Sequence, residues 1–297
     1  MTRRIAVLVN PTSGKGRGAR LLLPVSDRLR AAGLDVEVVV GRDGDEAFDR
    51  LRDQVAQGVD GVVAVGGDGL VNIALQVTGG TDLPLGIVPA GTGNDIARSV
   101  GLVPKDPVAA VDLVVGAQTR TIDLGRANGR WFAGVLGSGF DSMVNERANR
   151  MSWPNGRSRY NLAIVAELRT FRPVPYVLEL DGELLESEAM LVAVGNGTSY
   201  GGGMLVCPGA VLDDGLLDVT LLGPISKPEF LRVFPRVYKG THVEHPAVSV
   251  RRARSVSLHA DGVTAYADGE RVAVLPVTCD AVPDALHVFT PAPPPRE

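Results

Sequence analysis

Residues 66–69 read Gly-Gly-Asp-Gly, so Asp68 is the single side chain in a stretch of otherwise bare backbone. Gly66, Gly67 and Gly69 let the chain turn sharply and present N–H groups to an anionic ligand at close range. Residues 91–95 repeat the combination as Gly-Thr-Gly-Asn-Asp, with Thr92, Asn94 and Asp95 as the polar side chains. A third stretch, NPTSGKGRG over 10–18, adds Asn10, Ser13, Gly14 and Lys15 to further glycines. Glycine amides suit phosphate oxygens, and the carboxylates of Asp68 and Asp95 suit Mg2+, directly or through water. Phosphoryl transfer uses that pairing, because its catalyst chiefly positions groups and neutralises charge. Any one of these turns taken alone could equally be a tight strand-to-helix connection.

Positioning such turns requires strands that end together. Val62, Val63, Ala64 and Val65 form a continuous apolar run of the kind covered on both faces in a parallel sheet. The apolar periodicity predicts strands over 4–10, 34–40, 59–65 and 85–88, alternating with helices over 20–32, 45–57 and from 71 onward. That order predicts a doubly wound parallel α/β sheet, with ligands outside the carboxyl ends of its strands. Beyond residue 123 short alternating runs separated by Gly, Asn or Asp turns predict a β-rich second domain, interrupted by helices over 141–150, 160–170 and 227–238. The expected division is 1–128 for the α/β domain and 129–284 for the β-rich domain. Residues 285–297 are expected to end in a disordered proline-rich tail.

Several classes of function lose ground. The 10–18 loop is not a Walker A motif, since Gly16 rather than Ser or Thr follows Lys15. No clean GxGxxG with a ribose-binding acid follows either, which argues against a dinucleotide oxidoreductase. A formal net charge of −4 argues against nucleic-acid binding through bulk positive charge. Cys207 and Cys279 lack metal-ligand spacing and are expected to be buried, reduced thiols, and the four histidines are scattered, so catalysis falls to carboxylates. The N-terminal apolar run, Ile5 to Val9, is too short for a signal segment or a membrane span, and the expected location is the cytosol.

In order along the chain, NPTSGKGRG (10–18), GGDG (66–69), GTGNDIAR (91–98), PGAVLDDGLLDV (208–219) and ADGE (267–270) resemble the soluble diacylglycerol kinases, a lipid-kinase family that includes sphingosine kinase-like enzymes. The resemblance spans most of the chain. It implies a nucleotide-binding α/β domain, a β-sandwich-like second domain, an active site in the cleft between them and a last strand within 285–297 that returns to the first domain. It also implies ATP and Mg2+ as cofactors, with diacylglycerol or a related lipid alcohol as acceptor. ATP contacts carry over to Asn10, Ser13, Gly14, Gly66, Gly67, Asp68, Gly69, Asn72 and Thr92, with Asp95 beside them. A structural Mg2+ is placed on Asp214 with the carbonyls of Val211 and Leu216. Glu270 is the implied proton acceptor and Asp68 the second choice, while Asp123 is expected to help Asp68 and Asp95 organise Mg2+. Transient peripheral attachment at the inner membrane surface is implied, and bacterial relatives make a homodimer plausible.

Two positions depart from the family pattern, in which a threonine follows GGDG and a glutamate follows the asparagine. Here Leu70 and Ile73 stand in those places. Alternatives therefore stay open: an NAD kinase-like enzyme sharing the GGDG loop, or a lipid-binding relative without catalysis. Locally, Asp214 could simply cap an Asp-Gly turn and Glu270 could end a hairpin. Arg147, Arg150, Arg157 and Arg159, with Trp153 among them, read as a solvated face ahead of a surface for anionic headgroups.

Overall fold

The computed structural model describes residues 2–11, 13–103, 106–151, 153 and 157–291, without the side chains of 13–15, 157, 158, 160 and 161. Thr12 of the first loop and 292–297 of the proline-rich tail lie outside the described residues, as do the side chains of Ser13, Gly14, Lys15 and Arg157.

The chain forms two compact units. The first takes Met1–Leu124, Leu212–Asp214 and Val282–Glu297, and the second takes Gly125–Val211 and Gly215–Ala281. The division thus falls at 124/125 and 281/282 rather than at 128/129 and 284/285. Both boundaries lie inside strands whose pairing changes part-way, which no local turn signal marks.

Unit one contains β1 (Arg4–Val9), α1 (Ser13–Ala31), β2 (Asp35–Val39), α2 (Gly44–Ala56), β3 (Gly61–Gly66), α3 (Asp68–Thr78), β4 (Thr81–Pro89), α4 (Asp95–Ser99), α5 (Pro107–Val115) and the start of β5 (Thr119–Ala127). The strand order is β2-β1-β3-β4, all parallel. Every residue of β3 and all but the first of β1 are buried, as their unbroken apolar runs require. The chain moves from β1 to β2 on one side and then to β3 on the other. The carboxyl ends of β1 and β3 are therefore a topological switch point, where such sheets bind ligands.

Helix α1 begins at Ser13, not near residue 20. Its first turns absorb Gly14, Gly16 and Gly18, which read locally as loop, and Gly16 sits at φ +83°, a conformation open to glycine but costly for other residues. Likewise α3 starts at Asp68 and β4 extends to Thr81–Pro89, beyond the expected 85–88.

Unit two contains β6 (Arg130–Phe132), β7 (Val135–Gly139), α6 (Phe140–Arg150), α7 (Arg157–Thr170), β8 (Val174–Leu180), β9 (Glu183–Ala189), β10 (Leu191–Gly195), β11 (Leu217–Leu222), α8 (Lys227–Val233), β12 (Val248–Ala253), β13 (Ser255–His259), β14 (Thr264–Ala267), β15 (Glu270–Val274) and the first part of β16 (Val277–Phe289). An antiparallel sheet, β12-β11-β10-β7-β14-β15, faces a second set, β16-β13-β8-β9. Val192, Val194, Val219, Leu178, Val256 and Val277 fill the layer between them, which makes this unit a β-sandwich. Strand β10 is buried on both faces: Val192 and Val194 enter the sandwich, while Ala193 packs on the far side with Val135 and Cys207. Helix α8 is shorter than the predicted 227–238, giving way to a 3-10 turn over Phe234–Lys239 because Pro235 supplies no backbone N–H. Cys207 and Cys279 are buried and free, and burial pushes both thiols up to about 12.

The final strand is divided between the units. Its residues Val277–Asp280 pair antiparallel with β13, whereas Leu286 and Val288 pair parallel with β4. Among the described residues no helix is long and apolar enough to cross a membrane.

Candidate active site

Strands β1, β3 and β4 run parallel and adjacent, so Asn10, Gly67 and Ala90 leave the sheet along one edge. The β3 and β4 turns are locked together at their base, where Ala90 N–H donates to the Gly66 carbonyl at 2.8 Å. A Cβ added at Gly91 would stand 2.5 Å from Gly67 Cα, so the two backbones touch where only glycine fits.

Asp68 joins the turns through its carboxylate. Its Oδ2 accepts from Asn94 N–H at 2.7 Å and its Oδ1 from Ile96 N–H at 3.2 Å. The side chain that is first in α3 thereby serves the first turn of α4. Asn94 sits at φ +55° and closes a ring with Gly91: its Oδ1 accepts from Gly91 N–H at 2.9 Å and its Nδ2 donates to the Gly91 carbonyl at 3.0 Å. Asn94 was not among the predicted binding residues, although asparagine's tolerance of the left-handed region is a signal that could have found it.

A second carboxylate stands close by. A Cβ at Gly93 would lie 2.6 Å from Asp68 Oδ2 and 3.3 Å from Asp95 Oδ2, so both acids converge on one glycine. Burial, and next the charge of Asp95, hold the Asp68 pKa above the ordinary carboxylate range. Asp95 is itself buried and pairs with Arg98 at 3.2 Å. Two close carboxylates, one destabilised in its charged form by the other, are a donor set that fits a hard divalent cation. Asp123 does not join them: it is buried in β5, where its Oδ1 accepts from Asp284 N–H at 2.9 Å. Among the described residues no three acidic, histidine or cysteine side chains cluster as metal ligands.

The mouth of α3 is shaped for an anion. Gly67 is its N-cap and has no side chain to cap with, and Leu70 N–H turns back to the Gly67 carbonyl at 3.0 Å, so the amides of Asp68 and Gly69 are the ones at the mouth of the 11-residue helix suited to a ligand. Asn10 and Thr92 are exposed at the sheet edge, while Gly66 and Asn72 are buried. Leu70 is buried and folds back over Gly66, where a Cβ would meet its Cδ2 at 2.6 Å. Ile73 points toward Gly44 at the start of α2. Both departures from the family pattern are therefore accommodated as apolar packing.

The remaining predicted residues belong to other places. Asp214 is half-buried in the short Leu212–Asp214 excursion of unit one, and Leu212 accepts from Asp123 N–H at 2.7 Å. Val211 and Leu216 flank it in sequence and are assigned to unit two. Glu270 is exposed at the start of β15, just after a two-residue turn made by Asp268 (φ +51°) and Gly269 (φ +86°). The other acid of that hairpin is fully engaged: Asp268 accepts from Ala133 and Gly134 N–H, both at 2.9 Å, and from Val135 N–H at 3.2 Å. This three-amide anchor had no sequence signal, because its partners lie more than 130 residues away. Asp141 was also missed as a special group. Burial raises it to about 6, it shares a hydrogen bond with Tyr200, and its Oδ1 is shut off from solvent.

A parallel α/β unit whose glycine turns converge at a switch point, together with a β-sandwich unit, defines the class of kinase-like phosphate-binding folds. Residues 4–127 match the diacylglycerol kinase catalytic domain and residues 134–290 match the YegS C-terminal NAD kinase beta sandwich-like domain. The chain is 49% identical over 294 residues to a diacylglycerol kinase of Mycobacterium tuberculosis (strain H37Rv), covering 97% of this chain and 95% of that protein. It is 28% identical over 293 residues to a diacylglycerol kinase of Bacillus subtilis (strain 168), covering 97% of each. Its fold is also similar to a crystal structure of a diacylglycerol kinase from Bacillus anthracis str. Sterne, with a TM-score of 0.73, 22% identity and coverage of 97% of this chain and 96% of that one. The chain belongs to the diacylglycerol kinase family.

Proposed function

We propose that this protein transfers the γ-phosphate of ATP to the free hydroxyl of diacylglycerol, giving phosphatidic acid and ADP. The observation that carries this reading is the Asp68 carboxylate holding the Gly66–Gly69 and Gly91–Asp95 turns together, which keeps a run of side-chain-free backbone at the sheet's switch point. Amides of Gly67, Asp68 and Gly69 receive phosphate oxygens at the start of α3, and Asn10, Asn72 and Thr92 add polar contacts to the nucleotide. Bound Mg2+ would supply charge neutralisation between the phosphates, held by Asp68 and Asp95. A second Mg2+, read as structural, would sit on Asp214 with the carbonyls of Val211 and Leu216.

In the transfer, the lipid hydroxyl oxygen bonds to the γ-phosphorus, the bond to the bridging β–γ oxygen breaks, and the hydroxyl proton passes to a carboxylate. Glu270 takes that role: it is the exposed acid of its hairpin, whereas Asp268 accepts from three amides and Asp68 is given over to joining the turns and holding the metal. Access to an acceptor drawn from a bilayer implies transient membrane contact.

The test is transfer of labelled γ-phosphate from ATP, with Mg2+, to diacylglycerol in mixed micelles, with ceramide and NAD as parallel acceptors. Label in phosphatidic acid that disappears with Asp68→Ala is the expected result. Label on NAD alone would move the protein to the NAD kinase-like reading, for which the description of the family matched by residues 134–290 is the favouring observation. No label on any acceptor would sink the kinase reading and leave a lipid-binding relative.

A further inference from the structure

The segment Lys227–Lys239 runs as α8 and then a 3-10 turn, and its two faces differ sharply. Phe230, Val233 and Val237 are buried, with Phe230 packed edge-on against Phe140 at 4.9 Å between ring centres. On the outward face, Leu231 is 54% exposed and Tyr238 is 53% exposed, with Pro235 exposed between them. Their spacing of four and then three residues places them in one stripe along the segment. Tyr238 leans an edge on Phe234, with 6.5 Å between ring centres, yet half of it and half of Leu231 stay open to solvent, more apolar surface than packing within the unit covers.

Charge completes the pattern. Lys227, Arg232, Arg236 and Lys239 stand against Glu229 alone, a local net charge of +3 in a chain whose total is −4. Arg236 is paired with Glu244 at 2.9 Å, and Lys227 donates to the Arg169 carbonyl, but Arg232 and Lys239 are both exposed beside the stripe. Elsewhere an exposed apolar residue has the opposite setting: Leu184, 69% exposed on β9, lies among Glu183, Glu186 and Glu188.

We propose that the Leu231–Tyr238 stripe, with Arg232 and Lys239, is the surface by which this protein lies on an anionic lipid bilayer. The proposal rests on the lipid-kinase reading above, which requires such contact, and adds where it is made. Leucine enters the acyl boundary, tyrosine keeps its hydroxyl at headgroup level, and the two cations meet lipid phosphates. A local excess of positive charge on an acidic protein favours this occupant over an acidic partner surface of its own kind.

The experiment is co-sedimentation of the full chain with phosphatidylcholine vesicles, with and without phosphatidylglycerol, alongside turnover of a dispersed short-chain diacylglycerol. The expected result is salt-sensitive binding to the phosphatidylglycerol vesicles, weakened about tenfold or more both by the double change Leu231→Ser, Tyr238→Ser and by Arg232→Glu, Lys239→Glu. Short-chain turnover and melting temperature stay at the unsubstituted values, and Leu184→Ser binds unchanged. Unweakened binding of both double variants, or no vesicle binding by the unsubstituted chain, overturns the proposal. So does a serine variant that keeps vesicle binding but halves the sedimenting mass, which would make the stripe a subunit interface. Loss of phosphoryl transfer to every lipid alcohol alongside the expected binding pattern would count against the kinase reading and not against the surface.

Discussion

Asparagine at position 68 keeps the size of aspartate but halves what it can accept. Asp68 takes N–H bonds from Asn94 and Ile96 on separate oxygens, and an amide has only one oxygen to offer, so one donor must face an NH2 group. Losing a hydrogen bond to a charged acceptor costs about 1.5–3 kcal/mol. Relief of the burial and of the Asp95 charge that hold the Asp68 pKa up offsets part of that loss. The net expectation is a destabilisation of about 1–2 kcal/mol. In a chain of this size that corresponds to a fall in melting temperature of roughly 2–8 °C. The turns of β3 and β4 should also part, so KM for ATP rises along with the fall in kcat. Thermal melting by circular dichroism, with phosphoryl transfer measured across ATP concentration, reads both effects. An Asp68→Asn protein that melts at the unsubstituted temperature with an unchanged KM for ATP would refute the joining role, even if kcat fell, because the carboxylate would then act on chemistry alone.

Two further outcomes follow from the second unit. Glu270→Gln should lose phosphoryl transfer while keeping melting temperature and ATP affinity, since the side chain is exposed. Asp268→Ala should instead cost about 2 kcal/mol or more by orphaning three backbone donors, and the two variants melted and assayed together separate the roles. Asp141 makes stability depend on pH. Its folded pKa, about 6, lies above the unfolded value, so the stability it contributes is present below about pH 4 and is lost as pH rises through about 6. Asp141→Asn should therefore gain stability relative to the unsubstituted chain between pH 4 and 7, and parallel melting curves over that range would contradict the assignment.

Much of this arrangement is legible in the sequence because local chemistry determines it. Continuous valine-rich runs need cover on both faces, which makes β1 and β3 central parallel strands, and Gly-Gly-Asp-Gly marks the sharp passage from β3 into α3. What could not be read depends on contacts between distant residues. Asp68 looks like a ligand for a metal ion, yet both its oxygens are also committed to amides 26 and 28 residues away. Asp268 and Glu270 look interchangeable at a hairpin tip, and only the approach of residues 133–135 tells the anchored acid from the exposed one. The start of helix α1 is hidden for a related reason: its glycines carry a strong local preference for loop, and the cover that Val25 and Leu29 give the sheet overrides it. Leu70 and Ile73 look like lost catalytic groups until their packing against Gly66 and near Gly44 is seen.

The divided strand β16 bears on how the protein comes into being. A ribosome delivers β1 through β4 early, but the strand that covers the free edge of β4 arrives only with residues 286–289, about 200 residues after β4 ends at Pro89. Until then the nascent chain carries an unpaired, apolar edge beside the Gly66–Gly69 and Gly91–Asp95 turns. Vectorial synthesis thus completes the first unit only after the whole of the second has been made, and a chain without Leu286 and Val288 would keep that edge open for the life of the molecule.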